Sequence, residues 1–174
     1  SMMNAHLAGF DQAPALVEEQ VIAWLAQLLG FPKSTRGLLT SGGTMAGILA
    51  LAVARHAKAG FDVRIEGLAN GQSMRVYAST ETHHWLVRGV ELLGLGRTSI
   101  DWIDVDADFR INLQSLEHHL ERDRQQGIHP LAIVANAGTV QTGAIDPIDS
   151  LADIASNNNV WLHIDGAFGA LARL

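Results

Sequence analysis

Residues 131–139 have the sequence LAIVANAGT, in which an apolar run is followed by Asn136 and small residues. An uninterrupted apolar run of this length is typical of a strand that is buried on both faces of a parallel sheet. Residues 160–165, VWLHID, form a second run of this kind and end in Asp165. The two runs predict parallel strands with polar side chains at their carboxyl ends, which is where α/β sheets bind ligands.

Helix and strand patterns alternate along the rest of the chain. The spacing of apolar residues predicts helices at 14–29, 84–93, 113–126 and 147–156, and short apolar runs predict strands at 74–79 and 100–105. Asn112 and Asp146 are the expected N-caps of the last two helices. Residues 44–58 are apolar almost all round and predict a buried helix. This alternation predicts an α/β fold with a doubly wound, mainly parallel sheet and helices on both faces.

The composition limits the classes of function. The chain has 174 residues, 48% hydrophobic and 17% charged, which is typical of a soluble globular protein. A net charge of −6 without a dense run of lysine and arginine offers no surface for nucleic acid or an anionic membrane. No apolar stretch is long enough to span a bilayer, residues 1–4 do not begin a secretory leader, and the lack of cysteine suits a cytoplasmic protein. A small-molecule ligand is therefore expected.

Four segments are expected to meet at one edge of the sheet. Residues 79–84, 136–140 and 165–167 follow three of the predicted strands, and the glycine-rich residues 41–44, SGGT, open the helix at 44–58. A helix that begins in this way offers backbone N–H groups and a positive end to an anion such as a phosphate. The chain lacks the Gly-Lys-Ser/Thr of a P-loop and the spacing of a dinucleotide fingerprint, so a nucleotide-binding module is a weaker alternative.

The carboxylate of Asp165 has more than one interpretation on the sequence alone. It precedes Gly166 and Ala167 at the expected ligand-binding edge. Without other evidence, the local sequence favours a loop cap or a structural ion pair over a catalytic role.

Four motifs, in this order, resemble those of the group II amino-acid decarboxylases that depend on pyridoxal phosphate (PLP). They are GLLTSGGT at residues 37–44, STETH at 79–83, AGTVQTGAIDP at 137–147 and WLHIDGAFG at 161–169. The resemblance covers nearly the whole chain. It implies the three-layer fold type I of PLP enzymes, with residues 1–36 as an N-terminal helical segment and residues 37–174 as part of the large, PLP-binding domain.

The resemblance implies a catalytic role for two of the matching residues. Asp165 would pair with the protonated pyridine nitrogen and keep the ring cationic, and His83 would stack on the ring of the cofactor. The neighbouring His84 points in another direction, so the pair is not expected to bind a metal. His163 is interpreted as a buried structural histidine, and His118 and His119 as part of a solvated helix face.

The resemblance also implies how the cofactor is bound. Gly43 and Thr44 would hold its phosphate, which agrees with the argument from the helix start. Ala167 would lie under the ring face opposite His83. Asn136 stands where many members of the family have a threonine near the phenolic oxygen, and its amide can also donate a hydrogen bond.

The family's activity requires a lysine that holds the cofactor covalently. The only lysines are Lys33 and Lys58, and neither stands at the expected edge of the sheet. In the family that lysine follows a histidine downstream of the Asp165 strand, so we expect a fragment that is inactive alone and that self-associates, as the dimeric family enzymes do. The parent protein would release CO₂ from an L-amino acid. The alternatives are another fold type I PLP enzyme, such as a lyase or an aminotransferase, and a non-catalytic interaction module.

Overall fold

The structure, a computed structural model, describes residues 13–69 and 71–173 and contains two compact units. Among the described residues, the first unit comprises residues 13–41 and 171–173, and the second comprises residues 42–69 and 71–170. Residues 1–12 of the predicted N-terminal segment lie outside the described residues, and its boundary at residue 36 stays a prediction.

The first unit is built on one helix. Helix α1 spans Ala13–Leu29, as its apolar spacing predicts. Gly30, with a φ of 75°, turns the chain out of the helix, and the N–H of Phe31 donates to the carbonyl of Ala26 at 2.8 Å. The following segment returns to the helix, where the N–H of Leu39 donates to Oε1 of Glu18 at 2.5 Å. A cavity of about 790 Å³ lies between α1 and this segment.

The second unit contains a sheet of four parallel strands. They are β1 (Met74–Ser79), β2 (Ile100–Ile103), β3 (His129–Asn136) and β4 (Trp161–Asp165), in the spatial order β2-β1-β3-β4. Each lies where an apolar run predicts a strand, although β2 ends two residues early and Val105 forms only an isolated bridge with Ile111. Because the order reverses at β1, the crevice between the carboxyl ends of β1 and β3 is the expected ligand site.

Helices cover both faces of this sheet. They are α2 (Gly43–Lys58), α3 (Val63–Glu66), α4 (Trp85–Leu92), α5 (Leu113–Gln125) and α6 (Ile148–Asn157), with a 3₁₀ turn at Arg97–Ser99. A second 3₁₀ turn, Ala170–Arg173, begins at the last residue of this unit. Alternate strand residues face opposite sides, so Val76 and Val134 pack with α2 and α4, whereas Tyr77 and Ile133 pack with α5 and α6. The result is the predicted three-layer α/β architecture. No helix in the described parts of the chain is long and apolar enough to cross a membrane.

The two predicted N-caps have different outcomes. Asp146 is not the N-cap of α6: Pro147 occupies that position without a side-chain cap, because both oxygens of Asp146 accept backbone N–H groups, from Ile111 at 2.8 Å and from Asn136 at 2.7 Å. Asn112 does cap α5 as predicted, accepting from the N–H of Ser115.

Helix α2 is only partly buried, although its sequence predicted burial all round. Leu51 and Ala54 face the sheet, while Met45, Leu49 and Val53 form an exposed stripe at a spacing of four residues. Helices packed on a sheet bury only the face that touches it, so an apolar composition did not determine the exposure of the opposite face.

Candidate cofactor site

A cavity of about 310 Å³ opens at the carboxyl ends of β1, β3 and β4. Its walls come from the start of α2 and from the loops after the three strands. The six residues predicted to bind or act on a cofactor all line it: Gly43, Thr44, His83, Asn136, Asp165 and Ala167. The other lining residues are Glu81, Trp85, Gly138, Thr139, Val140 and Phe168. The structure therefore brings together residues from four separate segments of the chain.

Asp165 is the last residue of β4, and both oxygens of its half-buried carboxylate accept hydrogen bonds. Oδ2 accepts from Nε1 of Trp85 at 2.7 Å, and Oδ1 accepts from the N–H of Ala167 at 3.1 Å. A carboxylate has about four acceptor positions, so Asp165 can accept a further donor from a ligand. The loop cap that a cautious interpretation expected is present, but it leaves acceptor capacity at the cavity.

His83 lies at the cavity with an exposed side chain, in the loop between β1 and α4. Its Nδ1 accepts the backbone N–H of Trp85 at 3.2 Å. An Nδ1 that accepts leaves the proton of the neutral ring on Nε2. The ring is thus anchored through one nitrogen, and the other is available at the site.

Asn136 takes part in a buried polar network below the cavity. Its amide nitrogen donates to Oδ2 of Asp146 at 2.9 Å, to Oγ1 of Thr82 at 3.2 Å and to Oγ of Ser79 at 3.3 Å. The register of the sheet pairs Asn136 with Asp165, which explains why both line one cavity. Since its amide protons serve this network, the predicted donation from Asn136 to a phenolic oxygen stays a prediction.

The start of α2 provides the expected anion-binding geometry. As the first residues of a 16-residue helix, Gly43 and Thr44 have backbone N–H groups that no carbonyl within the helix can accept. A Cβ atom at Gly43 would stand 3.4 Å from the Cβ of Ala167, which is an ordinary contact distance and shows that the start of α2 lies beside the loop after β4.

Sequence reasoning missed Glu81, which stands in the loop after β1. Its Oε2 atom is buried at the cavity wall and has no hydrogen-bond partner among the residues that the structure describes. Buried polar atoms normally have a partner, so an unpaired one at a cavity wall is typical of a place where a ligand supplies the donor. The position of Glu81 in the STETH motif was the available signal.

Trp85 was also missed. It is the first residue of α4, only 3% exposed, and it contacts both predicted catalytic residues. A tryptophan predicted at the start of a helix next to a ligand-binding edge was a usable signal, because a buried indole N–H requires an acceptor.

The remaining histidines divide into different roles. The ring of half-buried His163 meets the ring of Trp85 edge-on, with centroids 5.2 Å apart. Burial lowers the pKa of His163, and the negative charge of Asp165 partly opposes that shift. His118 is exposed as predicted, but His119 is not part of a solvated face: it is half-buried and its Nδ1 lies 3.0 Å from Oδ2 of Asp101.

Neither lysine lines the cavity. Lys58 is the last residue of α2, and its Nζ donates to Oδ1 of Asn159 at 2.7 Å. Lys33 belongs to the first unit, where it lines the larger cavity beside α1.

Residues 2–173 match the family described as the pyridoxal-dependent decarboxylase conserved domain. The chain belongs to this family. It is 40% identical over 167 residues to an aromatic-L-amino-acid decarboxylase of Bacillus atrophaeus, a match that covers 96% of the chain and 32% of that protein. It is 39% identical over 171 residues to an L-2,4-diaminobutyrate decarboxylase of Rhizobium meliloti (strain 1021), which covers 97% of the chain and 33% of that protein.

Solved structures of this decarboxylase family share the fold. The crystal structure of mouse CSAD superimposes with a TM-score of 0.86 at 31% sequence identity, covering 91% of this chain and 33% of that one. The predicted fold type I, PLP-decarboxylase architecture is thereby confirmed. The chain spans about a third of the length of the relatives it matches.

Proposed function

We propose that the cavity at the carboxyl ends of β1, β3 and β4 binds pyridoxal 5′-phosphate, and that the protein to which this chain belongs decarboxylates an amino acid. The observation that carries the proposal is the convergence of the six predicted residues on one cavity of about 310 Å³. These residues come from four segments that are far apart in sequence, and their meeting supports a shared ligand.

The donor and acceptor groups of the cavity fit this cofactor. The start of α2 offers N–H groups and a positive helix end to a phosphate. On another wall, Asp165 offers a carboxylate to a cationic ring nitrogen, and Glu81 has a buried oxygen that receives no donor from residues 13–69 and 71–173. One site therefore contains a place for an anion and a place for a cation, which matches the opposite charges of PLP.

The chain's own residues would each make one contribution. Bound PLP supplies a ring that accepts electrons when a bond to the substrate α-carbon breaks. Asp165 holds a proton on the ring nitrogen, and its charge is more effective in a half-buried cavity than in bulk water. Thr44 and the first N–H groups of α2 orient the phosphate, while His83, held through Nδ1, presents its ring and Nε2 at the cavity.

Decarboxylation of an α-amino acid is the reaction that the family membership supports best. The two relatives are named for aromatic L-amino acids and for L-2,4-diaminobutyrate, and these substrates have in common that they are amino acids. No feature of the cavity favours an aminotransferase or a PLP-free interaction module over this reaction.

Ligand binding tests the first half of the proposal. We expect the purified chain to bind pyridoxamine 5′-phosphate saturably in calorimetry; this ligand has no aldehyde and cannot react with Lys33 or Lys58. Replacing the hydroxyl in Thr44→Val and the charge in Asp165→Asn should each weaken binding about tenfold or more, since hydrogen bonds to charged groups contribute roughly 1.5–3 kcal/mol.

Matched exposed positions provide the controls. Thr98→Val removes a hydroxyl and Asp153→Asn removes a charge from exposed side chains that do not line the cavity. Both control variants should bind pyridoxamine 5′-phosphate as tightly as the unmodified chain does. A folded chain without saturable binding, or equal losses in the control variants, would refute the cofactor site.

An activity assay tests the proposed decarboxylation of an amino acid. A protein of the relatives' full length that contains this sequence is expected to release labelled CO₂ from carboxyl-labelled L-amino acids only when PLP is supplied. Transfer of the amino group without release of CO₂ would instead favour the aminotransferase alternative.

Self-association also belongs to the proposal. Trp24 and Val17, both 61% exposed, and Leu28 leave apolar surface on α1, and covering such surface is favourable in water. We expect light scattering to give the mass of a dimer at micromolar concentration. A monodisperse monomer at those concentrations would reject a homodimer formed by this chain.

A further inference from the structure

Trp85 makes two hydrogen bonds at the cavity, and each reaches a residue predicted to act on the cofactor. Its indole Nε1 donates to Oδ2 of Asp165 at 2.7 Å. Its backbone N–H donates to Nδ1 of His83 at 3.2 Å. One residue at the start of α4 therefore contacts the candidate partner of the ring nitrogen and the candidate stacking residue.

The indole of Trp85 is itself held firmly. Trp85 is 3% exposed, and its ring meets the ring of His163 edge-on. A Cβ atom at Gly47 of α2 would stand only 2.6 Å from Cε3 of the indole, so the ring occupies the space that a side chain at position 47 would need. The donor that reaches Asp165 is thus fixed by packing against the core.

We infer that Trp85 is a positioning residue that orients the Asp165 carboxylate toward the ring nitrogen of the cofactor. This inference rests on the proposed function, because it assigns Asp165 to the pyridine nitrogen of PLP. The terminal torsion of an aspartate is soft, so an unsupported carboxylate at the mouth of a cavity would sample several orientations. Two donors, the indole N–H on Oδ2 and the N–H of Ala167 on Oδ1, restrict it before the ligand arrives.

The substitution Trp85→Phe isolates the indole contribution. Phenylalanine retains an aromatic ring at the core and the backbone N–H to His83, but it lacks the donor to Asp165. The matched control is Trp102→Phe, since Trp102 is 39% exposed on β2 and does not line the cavity.

A comparison of two ligands distinguishes the contribution of the ring nitrogen to binding from that of the phosphate. Pyridoxamine 5′-phosphate has both groups, whereas benzyl phosphate has the phosphate and a ring without nitrogen. We expect Trp85→Phe to weaken binding of pyridoxamine 5′-phosphate about tenfold and to leave benzyl phosphate unchanged. The ¹⁵N chemical shift of the bound pyridine nitrogen should also move toward its unprotonated value.

The outcomes distinguish this inference from the proposed function. If Trp85→Phe weakens the binding of both ligands equally, the substitution has disturbed the fold in general and the inference is overturned. An unchanged affinity for pyridoxamine 5′-phosphate together with an unchanged ¹⁵N shift also overturns it. If the unmodified folded chain binds neither ligand, the proposed function fails instead.

A measurement without ligand then still tests the contact. The chain has four tryptophans, and the indole N–H resonance that is lost in Trp85→Phe identifies Trp85. This resonance should shift in Asp165→Asn, because its N–H donates to Asp165, whereas the resonances of Trp24 and Trp102 should not move. An unmoved Trp85 resonance overturns the inference whether or not a ligand binds.

Discussion

Two polar clusters lie at the sheet of the second unit, and they differ in how completely their atoms are paired. The Asp123 cluster, formed by Arg75, Tyr77, Asp101, Arg122 and Asp123, lies between the sheet and α5. Asp123 is fully buried, and its Oδ2 accepts from Nε of Arg75 at 3.1 Å and from Tyr77 at 2.9 Å. Its Oδ1 accepts from Nε and Nη2 of Arg122 at 2.9 and 2.7 Å.

The second cluster, formed by Asp165 and Glu81 at the cavity, has fewer of its oxygens paired. Asp165 is half-buried with one donor on each oxygen, and Oε2 of Glu81 has none in the described chain. The two clusters show that charged residues beside a sheet do not by themselves mark a functional site. Complete pairing without a cavity indicates stabilisation of the fold, whereas incomplete pairing at a cavity indicates a ligand.

Tyr77 shows the electrostatic consequence of complete burial. Removal from water, together with the hydrogen bond to the Asp123 carboxylate, raises the pKa of Tyr77 far above its ordinary value. The phenol therefore stays neutral and serves as a fixed donor to Asp123.

The largest effect on stability is expected from breaking the Asp123 cluster. Asp123→Asn removes the buried negative charge that Arg75 and Arg122 share, and it replaces one of the two acceptor oxygens with an NH₂ donor that faces an arginine. We expect the free energy of unfolding to fall by about 3 kcal/mol, the lower end of the range for breaking a buried ion pair, because both arginines keep some access to water. Urea unfolding followed by circular dichroism measures the loss.

Asp153→Asn on α6 is the matched control, since Asp153 is exposed. It should change stability by less than about 0.5 kcal/mol. If Asp123→Asn were as mild as this control, the contrast between the two clusters would be lost.

A smaller effect of opposite sign is expected at the cavity. Glu81→Gln keeps the shape of the side chain but removes the charge of a carboxylate that has one buried oxygen without a donor in the part of the chain that the structure describes. We expect the ligand-free chain to gain up to about 1 kcal/mol in the free energy of unfolding, measured in the same way. Glu117→Gln, at an exposed position on α5, should have no effect. A clear destabilisation by Glu81→Gln would mean that this carboxylate stabilises the fold after all.

The smallest effect is a pH dependence that comes from His163. Because burial lowers its pKa below the ordinary 6.5, the unfolded chain binds the proton more readily than the folded chain does. Stability is therefore fully present above about pH 6.5 and falls as the pH drops below that value. His163→Gln should flatten this part of the pH profile of thermal unfolding, whereas exposed His118→Gln should leave it unchanged.

Asp165 influences the pH dependence that comes from His163. Its negative charge favours the protonated form of His163 and so opposes the effect of burial. Asp165→Asn should make the loss of stability at low pH steeper, and a shallower profile would contradict the electrostatic coupling between the two residues.

The sequence predicted the elements of the second unit because their signals are local. The apolar run ending at Asn136 and the run ending at Asp165 became neighbouring strands, and glycine before α2 marked a helix start at the cavity. The rule that parallel strands present their carboxyl ends at one edge then brought the candidate residues together. Short α3 and the two 3₁₀ turns lacked such periodic signals and were not predicted.

The failures concern the partners of side chains. Asp146 had the sequence of an N-cap, yet its carboxylate accepts the N–H groups of Ile111 and Asn136. A rule based on neighbouring residues cannot decide whether a carboxylate caps its own helix or accepts N–H groups from another strand or loop. His119, predicted to be solvated, pairs with Asp101 for the same reason.

By itself, the sequence determined the α/β alternation, the family and the edge of the sheet at which a cofactor would bind, because periodicity and motif order are properties of neighbouring residues. Only the tertiary structure decided which donor meets which acceptor. The indole of Trp85 reaches Asp165 across 80 residues, and the space for that indole exists because Gly47 on another helix has no side chain. Hydrogen bonds and close packing depend on distances of a few ångströms between elements, which no local pattern specifies.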